Sequence, residues 1–258
     1  QWVNYDGHRS LFESRSKNRM GLLMWMSHPC WPSMVWQTYD YYLEPTAAYF
    51  AIKKASEPLH IQWNPATDEV EVVNYSAGTH SHLTARVQIL NMDASVAWEK
   101  ETTVDSREDT TEKCIKLEFP ETLPEVYFIK LWLLEDGKIL SDNFYHASRK
   151  GINYQALKQL PEVTLDCQAK MAQDKEGNWT ATVTLTNPTS TPALMTRINV
   201  VGDKDGDQFL PILYEDNYFA LLPGEQKEVS VRWKDVDTRG NSPVIRITGY
   251  NVKELSRQ

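Results

Sequence analysis

The chain is 258 residues long with a formal net charge of −8, enough for roughly two domains that each bury a core. No basic stripe or Lys/Arg cluster interrupts that acidity, which excludes a nucleic-acid surface, and no apolar run reaches the length of a membrane helix. Its 3 cysteines, Cys30, Cys114 and Cys167, are odd in number and far apart, so they suit neither a disulfide framework nor a zinc site and are expected to be buried thiols.

In chain order, Leu11-Phe12 among charged residues predicts a helix within residues 1–20. A chain opening at Gln1 is expected to be the later part of a longer one. Gly21–Met26 is an apolar run too short to span a membrane, and it reads as a strand buried on both faces, as in a parallel sheet. It is followed by a proline-bounded turn, His28-Pro29-Cys30-Trp31-Pro32, and by an aromatic tail of Trp36, Tyr39, Tyr41 and Tyr42. Apolar residues at Ala48, Phe50, Ile52 and Ala55 then predict a helix, Thr46–Ser56, stopped by Pro58. Buried strand, aromatic loop and helix make half of a βα unit. Nothing later in the chain supplies parallel neighbours for it.

From His60 the pattern becomes alternating. Strands are predicted near Ile61–Asn64, Glu69–Tyr75, Leu83–Leu90, Val96–Thr103, Cys114–Phe119, Tyr127–Leu134 and Ile139–His146, separated by turns such as Glu135-Asp136-Gly137. About seven short strands at that spacing suggest an immunoglobulin-like sandwich without the antibody Cys pair. A polar stretch, 147–162, reads as a linker with one helical turn at Tyr154–Lys158. A second series follows: Thr164–Ala169, Trp179–Thr186, Leu194–Val200, Phe209–Tyr214, Glu228–Trp233 and Val244–Tyr250. The fold class expected is mainly β: residues 1–58 as an appended βα piece, 59–160 as one sandwich and 161–258 as another.

Trp25 through Tyr42, with the helix that follows, resembles the end of the catalytic barrel of glycoside hydrolase family 2, nearest its exo-β-glucosaminidase and β-mannosidase branch. Glu215-Asp216-Asn217-Tyr218-Phe219, Leu222-Pro223-Gly224-Glu225 and Ile247-Thr248-Gly249-Tyr250-Asn251 resemble the closing domain of the same enzymes. The resemblance implies that 1–58 is the last strand and helix of a truncated (β/α)8 barrel. The parent would then be a retaining exo-β-glycosidase without a cofactor, periplasmic or secreted. Retention needs two carboxyl groups about 5–5.5 Å apart. In that family both are glutamates on earlier barrel strands, so no catalytic residue is expected in this chain.

The end of a barrel strand is the catalytic face, and an indole offers a plane matched to a pyranose ring. Trp25, with His28 and Trp31 beside it, is therefore the candidate sugar-contacting set, while Trp36 reads as packing. His28 stands where the family often has Asn or Asp. Asp40 is expected to bond backbone, and Glu44 to precede the helix. His80 and His82 share a strand face but lack a third metal ligand, and Asp203–Asp207 departs from the calcium-loop pattern and reads as a hairpin turn. A second reading is a non-catalytic tandem sandwich that binds glycan or protein, which would be favoured by three or more of Trp63, Trp98, Trp132, Trp179 and Trp233 stacked on an open face. An unpaired βα unit leaves apolar faces uncovered, so Leu22–Met26 and Trp31–Trp36 are expected to self-associate or to lie partly disordered, with the helix docked on the first sandwich.

Overall fold

The computed structural model describes residues 1–14, 22–33, 36–149, 151 and 153–257. Two compact units emerge: His8–Leu22 with Ile52–Leu160, and Gln1–Gly7 with Leu23–Ala51 and Pro161–Gln258.

The first sandwich lies in the unit that holds Ile52–Leu160. One sheet has the order β1 (Leu59–Asn64), β2 (Glu69–Asn74), β5 (Thr110–Lys116); the other has the order β4 (Val96–Ser106), β3 (His80–Leu90), β6 (Val126–Glu135), β7 (Lys138–Ser148). Every pairing is antiparallel. Alternation decides which side is buried: Leu83, Ala85, Val87 and Ile89 of β3 face a core shared with Ile129, Leu131 and Leu133 of β6 and with Val70 and Val72 of β2, whereas Arg86 between them is exposed. Between β6 and β7, Asp136 and Gly137 both have positive φ, 50° and 77°, the geometry of a two-residue hairpin turn whose twist matches its strands.

The second sandwich, in the unit that holds Pro161–Gln258, pairs a sheet ordered β12 (Phe219–Leu221), β10 (Ala193–Gly202), β14 (Pro243–Thr248), β15 (Leu255–Arg257) with one ordered β11 (Leu213–Tyr214), β13 (Gln226–Lys234), β9 (Asn178–Thr186), β8 (Asp166–Gln173). Val229, Val231 and Trp233 of β13 meet Ala181, Val183 and Leu185 of β9 inside, with Ile198, Ile245 and Ile247 from the other sheet. β12 and β15 were not expected, since three residues are too few to show a period. The predicted strand Phe209–Tyr214 shrinks to β11, because Pro211 cannot donate to a ladder. Between the sandwiches in sequence, Gln155–Gln159 forms the predicted helical turn as a 3-10 helix.

The N-terminal helix, α1, spans Trp2–Glu13, and α2 spans Ala47–Ala55. Ala47, Ala48, Phe50, Ala51 and Ala55 of α2 are buried, and Ile52 is half-buried. Its opening corrects the expected docking partner: Ala47 and Phe50 belong to the core of the second sandwich, where the Phe50 ring lies 6.5 Å from Tyr214 and 5.9 Å from Tyr218. A large ring goes to the aromatic pocket that fits it, and sequence adjacency to the first sandwich does not decide the matter.

The predicted strand Gly21–Met26 is also corrected. Gly21 lies outside the described residues, and Leu22–Met26 form neither strand nor helix. Leu23 and Trp25 are exposed, the latter at 79 %. An extended segment without a neighbouring strand has no ladder to join and no layer to cover its faces.

Candidate functional site

The stretch Leu23–Thr46 is anchored at its base and open at its tip. At the base, the Ser27 carbonyl accepts from the Tyr39 N–H and the Thr38 hydroxyl, both at 3.0 Å. The Thr46 hydroxyl donates to the Gln37 carbonyl at 2.7 Å, and Gln37, Thr38, Pro45 and Thr46 are buried. Asp40 does as expected: its Oδ1 accepts the N–H groups of Tyr42 and Glu44 at 2.8 and 2.9 Å, closing a tight turn in which Leu43 takes a φ of 67°.

Glu44 does something the sequence pattern did not reveal. Its Oε1 pairs with the Arg197 guanidinium of β10 and accepts from Asn199 Nδ2 at 3.2 Å. The pair pins the turn to the second sandwich. Arg197 also stacks over the Tyr218 ring, 5.9 Å from its centroid. Burial pushes the Tyr218 hydroxyl far above its ordinary value despite the guanidinium beside it, so it stays neutral.

The tip carries the predicted residues. Trp25, His28 and Trp31 are all exposed, Trp31 at 67 %, and Met24, Met26, Trp36, Tyr41 and Tyr42 are exposed with them. Tyr41 and Tyr42 meet edge to face, 5.1 Å apart. Trp36, expected to be packing, is open. Cys30, expected to be buried, is an exposed thiol, because the turn that carries it has nothing over it; Cys114 and Cys167 are half-buried, and burial pushes the Cys114 thiol up to about 12. So dense a run of uncovered aromatics is the kind of patch that marks an interaction surface.

Elsewhere in the same unit, a cleft of about 380 Å³ is lined by Trp2, Arg197, Tyr218, Gly249 and Tyr250 among others, and its lining contains none of the three predicted contact residues. Trp2 and Tyr250 meet there edge to face at 5.2 Å. These residues come from the two ends of the chain, so no local spacing could have united them.

Among the described residues, no group of three or more His, Cys, Asp or Glu side chains could hold a metal ion. His80 instead meets the Ser76 hydroxyl at 2.9 Å, and His82 is exposed at a φ of 60° where the β3 register slips. Asp203–Asp207 is a turn, with the Asp205 carboxylate accepting the Asp207 N–H at 2.9 Å. The tandem-binding reading would be favoured by tryptophans stacked on an open face. Trp233 is buried and stacked on Trp179 at 5.8 Å, while Trp63 and Trp98 pack on the core of their sandwich. Trp132, half-buried, lies against Arg86 and Lys130.

Two family models match this architecture. Residues 68–149 match the mannosidase Ig/CBM-like domain and residues 143–252 the exo-beta-D-glucosaminidase Ig-fold domain. The sandwiches are thus of the immunoglobulin-like kind carried by glycosidases. Over 98% of its length the chain is 32% identical to an exo-beta-D-glucosaminidase of Streptomyces avermitilis and 31% identical to one of Amycolatopsis orientalis, covering 31% and 27% of those proteins. It superposes on the crystal structure of the Amycolatopsis orientalis exo-chitosanase with a TM-score of 0.89 at 28% identity, over 99% of this chain and 34% of that one. Its domain models and its homologues are those of the exo-β-glucosaminidase and β-mannosidase branch of glycoside hydrolase family 2. It spans about a third of the length of these relatives.

Proposed function

We propose that this chain is the C-terminal part of a retaining exo-β-D-glucosaminidase, comprising the final strand and helix of the catalytic barrel and two sandwiches that buttress it. The observation that carries the reading is the likeness to exo-beta-D-glucosaminidases along 98% of the chain, including the aromatic segment and not the sandwiches alone. In the whole enzyme, Leu22–Met26 pairs with a neighbouring barrel strand, and Trp25, with His28 and Trp31, borders the sugar pocket. The acid/base and nucleophilic carboxylates are supplied upstream, so the chain by itself is inactive. Without the barrel, its exposed aromatics drive association of one copy with another, in keeping with Leu23, Trp25, Trp31 and Trp36 lying open to solvent. The whole enzyme is proposed to act in the periplasm or outside the cell and to need no cofactor.

The experiment is hydrolysis of aryl β-glucosaminide, mannoside, galactoside and glucuronide by this chain and by the full product of its gene. Glucosaminide cleavage by the long form alone is expected. Activity of the short form would mean that catalytic carboxylates lie within it, and inactivity of both would return weight to a binding module.

A further inference from the structure

His60, at the start of the first sandwich, is completely buried, and both of its ring nitrogens face carboxylates. Nε2 lies 3.0 Å from Glu13 Oε1 at the end of α1, and Nδ1 lies 3.2 Å from Glu57 Oε2 just beyond α2. A neutral imidazole has one N–H, so one of these contacts would set a lone pair against a negative oxygen; only the imidazolium donates to both. We propose that His60 is a buried imidazolium latch that ties the end of α1 to the first sandwich and lets go as the pH rises.

The surroundings fit a held charge. Burial alone pushes the His60 imidazolium toward neutrality, but the hydrogen bonds it donates to Glu13 and Glu57 and their negative charges outweigh it and raise its pKa above the ordinary 6.5. For Glu57, burial works toward protonation, yet His60, Lys54 and Ser141 together hold it below its ordinary value. Glu13 is gripped from β7 as well: Asn143 Nδ2 donates to it at 2.8 Å, and the Tyr145 hydroxyl, pushed well above its ordinary value by burial and then by the Glu13 charge, donates at 3.0 Å. Gln62 holds the Glu13 carbonyl at 3.2 Å and bonds Glu71 of β2 at 2.9 Å. Among the described residues, Arg9 lies over the Tyr145 ring, Lys54 lies between Glu57 and Asp142, and Lys130 pairs with Asp142 from β6. Taking one proton from His60 leaves one ring nitrogen presenting a lone pair to a carboxylate, that of buried Glu13 or of half-buried Glu57.

Because the folded pKa is raised, the stabilisation is fully present below about pH 6.5 and is lost as pH climbs through the raised value. The test is nitrogen NMR of the histidine rings in the full chain, with thermal unfolding followed from pH 6 to 9, below the tyrosine range. Both His60 nitrogens are expected to carry protons at pH 6.5, where an ordinary imidazole is half titrated, and Tm is expected to fall across the window in the native chain but to stay nearly flat in His60→Gln. Amide exchange in the last turn of α1, corrected for intrinsic rates, should quicken between pH 6 and 9, while that of β3 changes less. If His60→Gln does not fold, Glu57→Gln is used: it should move loss of the ring proton to lower pH. A folded protein with a neutral His60 ring at pH 6, parallel Tm profiles in native chain and variant, or an unmoved titration in Glu57→Gln would each overturn the latch.

Discussion

The sandwich cores and the Leu23–Leu43 segment draw on the same kinds of apolar residue and meet opposite fates. Ile129 and Leu131 of β6 are 0 % exposed, while Leu23 is 102 % exposed and Trp25 79 %. The difference lies in partners. β6 has a strand on each side, β3 and β7, and a second sheet over one face, so each alternate side chain finds a layer to enter. Leu22–Met26 has no strand beside it among the described residues. Hydrophobicity without a paired backbone does not bury a segment, and the polar anchors at Thr38, Asp40, Glu44 and Thr46 keep the loop attached without covering it.

The contrast can be broken most forcefully at its boundary. Phe50→Ala removes the ring that seats α2 among Tyr214 and Tyr218 and should cost about 3–5 kcal/mol in urea unfolding; a loss below about 1 kcal/mol would mean that the helix is not part of that core. On the acid side, His146 is held neutral, its pKa lowered to about 4 by burial and then by the Arg9 charge. The unfolded chain binds the extra proton between about pH 4 and 6.5, so stability should rise with pH across that window, by on the order of 2–3 kcal/mol, and His146→Phe should flatten that rise. Taken with the His60 latch, this places maximum stability of the first sandwich near pH 6.5.

Glu44→Ala tests the anchor, leaving Arg197 without its carboxylate. A loss of about 1–3 kcal/mol is expected, together with sharper temperature dependence of the Trp25 and Trp31 fluorescence as the loop loosens. Smallest of all should be Trp25→Ala, within about 0.5 kcal/mol of the native chain, because the ring is already in water. In the full-length enzyme the same substitution should lower kcat/KM for an aryl glucosaminide by at least about tenfold, about 1.4 kcal/mol of transition-state stabilisation. Sedimentation of this chain alone should show concentration-dependent association, and a monomer at all concentrations would sharpen the contrast by showing that the aromatics tolerate exposure.

Most of the β architecture was legible in the residues. Leu83, Ala85, Val87 and Ile89, or Val229, Val231 and Trp233, declare a buried face through a period of two, and Asp136-Gly137 declares the turn between β6 and β7, because these signals are local and each strand carries its own copy. The family resemblance likewise rested on contiguous runs, Trp25–Tyr42 and Ile247–Asn251. What tertiary structure alone decided is whatever depends on distant partners. Glu44 meets Arg197 across 153 positions, and Glu13 meets His60 across 47; neither residue has a local pattern announcing its partner. Nor could composition tell that Leu22–Met26 stays unpaired while Phe50 enters the second core. A strand is a property of two backbones and a buried charge of its whole surroundings, so both are settled only when the chain has folded and the distant groups have met.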